Sequence, residues 1–266
     1  MQPLLIMAAK TKKKNKNKHF KWALVIFFFV AAAALYGGYE WWKARKSRFV
    51  RYPAFGIPMP EEYPIHGIDV SKYQQTISWE SVKEMKVKNI QLGFAFIKAT
   101  EGLENTDPQF RRNWKKSKQA GIIRGAYHFF LATKDGRLQA ENFIDAVDLQ
   151  KGDLPPVVDI EQTYGVNIGV MKKELKEWLD VVEFNYGVKP IIYTNVDFYS
   201  RYLGDDFNSY PLWAAHYYQY NSPRIDRNWD FWQHSEEGRV NGILSKVDFN
   251  VFNGDSLQFK NLLLSK

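Results

Sequence analysis

The stretch Val157-Val158-Asp159-Ile160-Glu161 decides how the fold of this chain is interpreted. A short apolar run rich in β-branched residues predicts a buried β-strand, and here the run carries two acids. Similar runs with an acid occur at Gly67-Ile68-Asp69-Val70 and at Val247-Asp248-Phe249-Asn250. An acid in such a run carries a desolvation cost that a surface acid does not, so these three stretches indicate strands that end at a polar site.

Outward from these stretches, short apolar runs alternate with amphipathic ones in a βα rhythm. The predicted strands are 65–70, 92–98, 123–129, 157–161, 191–194, 212–215, 231–233 and 247–249. The predicted helices are 79–88, 108–120, 136–149 and 169–186, the last with Met171, Leu175, Trp178, Leu179 and Val182 at helical spacing. After about residue 195 the helices become short or vanish. The fold class is therefore α/β, a TIM-like barrel whose second half has lost helices.

Four carboxylates fall where barrel strands would form an active-site rim: Asp69, Asp159, Glu161 and Asp248. Asp159 and Glu161 are two residues apart, so on a strand they point to the same side. In a closed barrel the first and eighth strands adjoin and the fourth lies across from them, so all four acids can line one cleft. Converging acids suit cleavage of a glycosidic bond, which needs a proton donor and an anion. The alternative is that each acid caps a loop or pairs with a base such as Lys98 or Arg124.

Aromatic residues are frequent near the same strand ends. Because sugar rings present flat apolar faces, an aromatic rim beside acids suits a carbohydrate groove. Core packing is at least as good an explanation for any one of them. The candidate substrate-binding residues are Tyr127, Tyr193, Trp213, Tyr217 and Trp232, with Phe129 and Tyr218 nearby.

Composition excludes several other kinds of chemistry. The 266 residues include no Cys, so disulfides, thiolate catalysis and zinc–cysteine sites are absent. The five His residues show no metal-helix spacing, and no phosphate-binding loop or Gly-x-Ser-x-Gly elbow is present, so we expect no metal and no cofactor. Residues 1–59 hold 12 of the 37 Lys and Arg and one of the 29 acids, which gives them a net charge of +11 and leaves −3 for the remainder. A nucleic-acid partner for the folded part is therefore not expected.

The basic leader predicts a membrane anchor. Residues 1–21 are lysine-rich and are expected in the cytoplasm, and the uncharged residues 22–39 are long enough to cross a bilayer once. Residues 40–64 are basic and proline-punctuated, which predicts an extended linker, and the catalytic barrel is expected over residues 65–266. This places the barrel outside a single-pass anchor. A cleaved signal peptide, with a small-residue site in Ala31–Ala34, is the alternative.

Several motifs resemble glycoside hydrolase family 25, the muramidases with lysozyme activity. They are His66-Gly67-Ile68-Asp69-Val70-Ser71, Phe96-Ile97-Lys98-Ala99-Thr100-Glu101-Gly102, Asp107-Pro108-Gln109-Phe110 with Asn113-Trp114, Gly125-Ala126-Tyr127-His128-Phe129, Asp159-x-Glu161, Tyr193-Thr194-Asn195, Leu212-Trp213-Ala214, Trp232-Gln233 and Val247-Asp248-x-Asn250. The resemblance implies an irregular (β/α)5(β)3 barrel that cleaves the β-1,4 bond between N-acetylmuramic acid and N-acetylglucosamine in peptidoglycan, without a cofactor. It implies Glu161 as proton donor, Asp159 as stabiliser, and Asp69 and Asp248 as further site carboxylates. Ser78-Trp79 and Phe130-Leu131 depart from the family pattern, away from the acids.

The sequence therefore predicts a membrane-anchored, monomeric peptidoglycan hydrolase that retains anomeric configuration, with Glu161 acting as acid and then as base. The nucleophile stays open between a carboxylate and the N-acetyl oxygen of the substrate, positioned by Asp159. Two other functions stay open as well. One is a tethered wall-binding protein without turnover, and the other is hydrolysis of another N-acetylated glycan such as chitin.

Overall fold

A computed structural model of the chain describes residues 16–44, 49–219 and 221–265. The chain forms two units, one up to Lys46 and one over Ser47–Lys266. The described residues of the first unit form helix α1 (Lys16–Ala44), which contains a 23-residue apolar stretch, Phe20–Trp42, with a mean hydropathy of 1.9. Its length and composition make it a candidate membrane span. The predicted lysine run up to residue 14 lies outside the described residues.

The second unit alternates strands with helices along most of its length. Its strands are β1 (Phe49–Tyr52), β2 (Ile57–Pro60), β3 (His66–Val70), β4 (Lys86–Val87), β5 (Ile90–Glu101), β6 (Asn105–Thr106), β7 (Ile123–Phe129), β8 (Val157–Asp159), β9 (Ile191–Asn195), β10 (Leu212–Ala215), β11 (Phe231–Gly238) and β12 (Val247–Phe252). Its helices are α2 (Trp79–Glu84), α3 (Phe110–Gln119), α4 (Gly136–Ala146), α5 (Ile168–Tyr186), α6 (Val196–Phe198) and α7 (Ser256–Leu262).

Eight of these strands close into a barrel in the order β3-β5-β7-β8-β9-β10-β11-β12, and β12 returns to β3. All neighbouring pairs are parallel except β11–β12 and β12–β3, because β12 runs in the opposite direction to the rest. A helix follows each of the first five barrel strands. The last of these helices, α6, is only three residues long. The predicted barrel with a helix-poor second half is confirmed.

The barrel interior is packed with aromatic rings. Phe96 stacks on Trp213 with ring centroids 4.3 Å apart, and Phe259 of α7 closes against Phe94 at 5.6 Å. Gly67 is required beside these rings, because a Cβ there would lie 2.5 Å from the Phe94 ring. Outside the barrel, α5 buries the face that its periodicity predicts. The interior is therefore a filled core, and only its rim is open to chemistry.

The linker expected over residues 40–64 is wrong for its central part. Residues 49–60 form a β-hairpin, and its side chains enter the outer core. Phe55 is fully buried and packs on Phe249 of β12 at 5.4 Å, and Met59 is fully buried as well. Prolines suggested an extended spacer, but Pro58 and Pro60 sit in a two-stranded edge where a missing amide is tolerated.

Other element boundaries differ more modestly. The helix predicted over 79–88 ends at Glu84, because the chain turns at Lys88, with φ of 55°, to pair β4 with β5. The predicted strand 157–161 ends at Asp159, which leaves Glu161 on the following loop. Helix α7 was not predicted, although Asp255 caps it by accepting from the backbone amides of Leu257 and Gln258.

Candidate active site

The four predicted carboxylates meet at one rim of the barrel. Asp159 ends β8 between Phe129 and Tyr193 of the flanking strands, and Glu161 follows two residues later. Asp69 lies near the end of β3 directly opposite Asp248. Asp248 is at the beginning of its strand, and it reaches the same rim because β12 runs in reverse. The four carboxyl groups are close enough to shift one another's pKa values.

Asp69 is held by two side-chain amides. Nε2 of Gln233 donates to its Oδ2 over 2.8 Å, and Nδ2 of Asn250 donates to the same oxygen over 2.7 Å. Burial raises the pKa of Asp69 to about 6, and the two amide hydrogen bonds oppose that rise because they favour the charged form.

Asp248 faces Asp69 across the pairing of β12 with β3. Burial raises the pKa of Asp248 to about 9, and the negative charge of Asp69 adds to the rise. Like charges this close cannot both ionise, so one carboxyl stays protonated at neutral pH.

Asp159 and Glu161 form a second pair of carboxyl groups, and each affects the pKa of the other. Burial, and then the charge of Glu161, raise the pKa of Asp159. Burial also raises the pKa of Glu161, and its hydrogen bond with Asp159 opposes part of that rise. Glu161 therefore keeps a proton closer to neutral pH than a surface glutamate does. Oδ1 of Asp159 is buried and has no donor among the described residues.

Neither base named as a possible partner neutralises these acids. Nζ of Lys98 pairs with Glu101 at 2.6 Å, and Arg124 pairs with Asp153 at 2.8 Å on a different part of the barrel. Within the part of the chain that the structure describes, Glu161 forms no salt bridge. Lys98 is still near enough to lower the pKa values of Asp159 and Glu161.

Four of the five predicted substrate-binding aromatic residues lie near the acids. Three of them donate hydrogen bonds to the amide side chains that hold Asp69. Tyr193 and Tyr217 both donate to Oε1 of Gln233, over 2.8 and 2.6 Å, and the Trp213 indole donates to Oδ1 of Asn250 over 2.7 Å. Burial, and then the charges of the same carboxylates, raise the pKa of the Tyr127 phenol.

The prediction for Trp232 is wrong. Its side chain is fully buried outside the barrel interior, where it packs on Tyr63 and donates to the backbone oxygen of His216 over 2.9 Å. Side chains alternate along a strand, and Gln233 points inward to Asp69, so its neighbour must point outward.

Sequence reasoning missed the supporting amides and one exposed aromatic. Gln233 and Asn250 belong to the motifs named above. Each lies two residues from an inward-facing residue of its strand, Phe231 or Asp248, and this spacing would have placed both on the inner face. Tyr164 is 43% exposed on the loop after Glu161, and its pKa is raised by burial and by nearby acids that include Glu161. The exposed side chains of Tyr164 and Tyr218, rather than Trp232, offer ring surface at the rim.

One group of acids has a ligand spacing suited to a metal ion, namely Asp135, Glu174 and Glu177. Its atoms already have partners: Asp135 caps α4, Glu174 accepts from the Gly136 amide, and Lys173 pairs with both glutamates. The cluster therefore has a structural explanation where α4 meets α5.

The chain is similar to known proteins in both sequence and fold. Residues 68–243 match the family model described as glycosyl hydrolases family 25. The chain is 47% identical to YegX of Escherichia coli K12 over 201 residues, which cover 76% of this chain and 74% of YegX. It is 34% identical to Lysozyme M1 of Streptomyces globisporus, over 72% of this chain and 69% of that enzyme. A family 25 glycosyl hydrolase structure from Bacillus anthracis superposes with a TM-score of 0.70 at 33% identity, covering 77% of this chain and 95% of that one.

Proposed function

The chain belongs to glycosyl hydrolase family 25, a family of peptidoglycan-hydrolysing lysozymes, and we propose that it cleaves the β-1,4 bond between N-acetylmuramic acid and N-acetylglucosamine. The observation that carries this proposal is the pairing of Asp159 with Glu161 across from Asp69 and Asp248. Two carboxyl pairs, each with a raised pKa, supply a proton donor and a negative charge in one cleft.

Glu161 is the proton donor of this proposal. It is the more accessible member of its pair, and it stands on a loop at the mouth of the barrel. The protonated carboxyl gives its proton to the leaving glycosidic oxygen, and the resulting carboxylate then takes a proton from the incoming water. The product keeps its anomeric configuration.

Asp159 is the stabilising residue. Its free buried oxygen is suited to accept the N–H of the substrate's N-acetyl group, which turns the acetyl oxygen toward the anomeric carbon. That oxygen attacks as the nucleophile, and the cyclic intermediate is opened by water. Asp69 is tied to two amides and is thereby less able to attack directly.

Helix α1 is the proposed anchor. Its apolar stretch is long enough to span a bilayer, and the lysines before it favour a cytoplasmic N-terminus, with the barrel on the wall side. Anchored in this way, the enzyme acts on glycan strands close to the membrane.

The function is tested with the full chain in detergent, assayed on purified peptidoglycan beside Glu161→Gln. Loss of the general acid lowers turnover by about 10²- to 10⁴-fold. Mass analysis of released fragments must show reducing N-acetylmuramic ends. Binding without clearing in both proteins would make this a wall-binding protein, and equal release from chitin would change the assigned substrate.

The mechanism has its own test. Anomer analysis of the first-formed product must show retention, and inversion would refute both nucleophile assignments. A thiazoline analogue of the cyclic intermediate is expected to inhibit competitively. Its failure to bind, together with a trapped glycosyl–enzyme ester, would identify a carboxylate nucleophile instead.

A further inference from the structure

Two amides converge on one oxygen of Asp69. Gln233 and Asn250 approach from β11 and β12, and both donate to Oδ2 at 2.7–2.8 Å. The side chains of both are nearly or fully buried, at 3% and 0% exposed. Because an amide N–H can only donate, Oδ2 of Asp69 must stay an acceptor for both bonds to exist.

The Asn250 amide is fixed by the group behind it, and two phenols lie behind the Gln233 amide. The phenols of Tyr193 and Tyr217 both donate to Oε1 of Gln233, and the indole N–H of Trp213, which has no acceptor atom, points at Oδ1 of Asn250. Rotating the Asn250 amide by 180° would set its oxygen against the Asp69 carboxylate and its NH₂ against the indole N–H, which cannot accept. A phenol can also accept, so a rotated Gln233 would be opposed only where its oxygen meets the Asp69 carboxylate. The Trp213 indole therefore holds the Asn250 NH₂ toward Asp69, and the carboxylate of Asp69 itself favours the orientation of the Gln233 NH₂.

We propose that Gln233 and Asn250 are positioning residues that keep Asp69 as the anion of the Asp69–Asp248 pair and place the shared proton on Asp248. This inference rests on the proposed muramidase activity, because its catalytic consequence passes through Glu161. The negative charge on Asp69 raises the pKa of Glu161 and so helps Glu161 to keep its proton until the glycosidic oxygen arrives.

The charged groups facing this pair support the same assignment. Asp159 and Glu161 approach from β8 and its loop, Glu236 from β11, and Lys98 from β5. The phenols of Tyr127, Tyr193 and Tyr217 complete the surroundings. Lys98 acts on Asp159 and Glu161 and is itself paired with Glu101. The two amides, together with the hydrogen bond from Asp248, are thus in direct contact with Asp69 and favour its charged form.

The decisive variant is Gln233→Glu in the full chain. While the introduced carboxylic acid is protonated, one oxygen accepts from the two phenols and its O–H donates to Asp69, as the amide did. Once ionised, it places a second negative charge against Asp69. We expect turnover relative to the wild type to be near normal at about pH 5 and to fall about tenfold per pH unit above the pKa of the introduced acid.

Two further variants separate positioning from folding. Gln233→Met lacks the donor at every pH and is expected to show no rescue in acid. Gln139→Glu changes a fully buried glutamine on α4, bonded to the Leu131 backbone, and per folded molecule its pH profile should match the wild type. A Gln233→Glu profile that is only scaled down, with the wild-type shape, would overturn the proposal.

A readout without substrate distinguishes this inference from the function itself. With ¹³C-labelled aspartate, the Asp69 carboxyl signal should be that of an ionised group at pH 7 in the wild type and of a protonated group in Gln233→Met. If that holds but no peptidoglycan is cleared, the proposed function fails and the proton assignment stands. An Asp69 signal that is protonated at pH 7 in the wild type would refute the assignment.

Discussion

Replacing Asp248 with Asn is expected to stabilise the fold at neutral pH. Burial and Asp69 raise the pKa of Asp248 from 3.8 to about 9, so at pH 7 folding must take up a proton that the unfolded chain does not hold. At 1.36 kcal/mol per pH unit, the 3.8 to 7 interval corresponds to a cost of about 4 kcal/mol as an upper limit. Asn removes this cost and keeps an N–H donor toward Asp69. We expect a gain of about 2–4 kcal/mol in the free energy of unfolding, together with lower activity.

The sign of the pH dependence makes this prediction specific. A group whose pKa is raised in the folded state supports folding fully below its unfolded pKa and loses that contribution as pH rises toward the folded value. The advantage of Asp248→Asn should therefore be near zero below about pH 4, grow up to about pH 9 and then level off. Urea denaturation followed by near-ultraviolet circular dichroism measures it, with the exposed Asp226→Asn as control, expected within about 0.5 kcal/mol of the wild type. An advantage that is constant with pH, or largest in acid, would refute the assignment of the proton to Asp248.

Three further predictions concern the hairpin, the aromatic residues near the site and the contact between α4 and α5. Phe55→Ala should lower the free energy of unfolding by about 3–5 kcal/mol, because it empties a fully buried site against Phe249; a change below about 1 kcal/mol would mean that the hairpin is not part of the core. Trp232→Phe should leave kcat and KM of peptidoglycan hydrolysis unchanged while it loses the hydrogen bond to His216, whereas Tyr217→Phe should lower kcat; a raised KM in the first variant would restore Trp232 as a substrate contact. Gly136→Ala should destabilise the contact between α4 and α5, because its Cβ would lie 1.8 Å from the Glu174 backbone oxygen. In thermal unfolding its Tm should therefore be lower than that of Gly121→Ala. Equal Tm values would mean that the two helices can move apart to accept the methyl group. The Gly121 variant is a control for backbone strain alone, because Gly121 has a φ of +76° and no atom near its Cβ position.

Local sequence pattern was enough to predict the barrel and the acids at its rim. Apolar runs of strand length alternate with amphipathic runs, and these patterns reflect burial that each segment experiences largely by itself. The Asp-x-Glu spacing and the acids of the first and last barrel strands carried the same kind of local signal, and the family motifs gave their roles. The 29-residue helix α1 was visible for the same reason, since hydropathy is a property of the segment.

Other features depended on contacts between distant parts of the chain. The 49–60 hairpin looked like a linker because its prolines are local, while its burial against β12 is not. Gln233 and Asn250 reach Asp69 across 164 and 181 residues of sequence, and no local pattern records those hydrogen bonds. The sequence by itself therefore determined which residues are apolar, acidic or strand-forming. Only the tertiary structure decided that β12 runs in reverse, that Trp232 points away from the cleft and that Asp69 meets two amide donors, because strand direction and side-chain partners are set by the closure of the whole barrel.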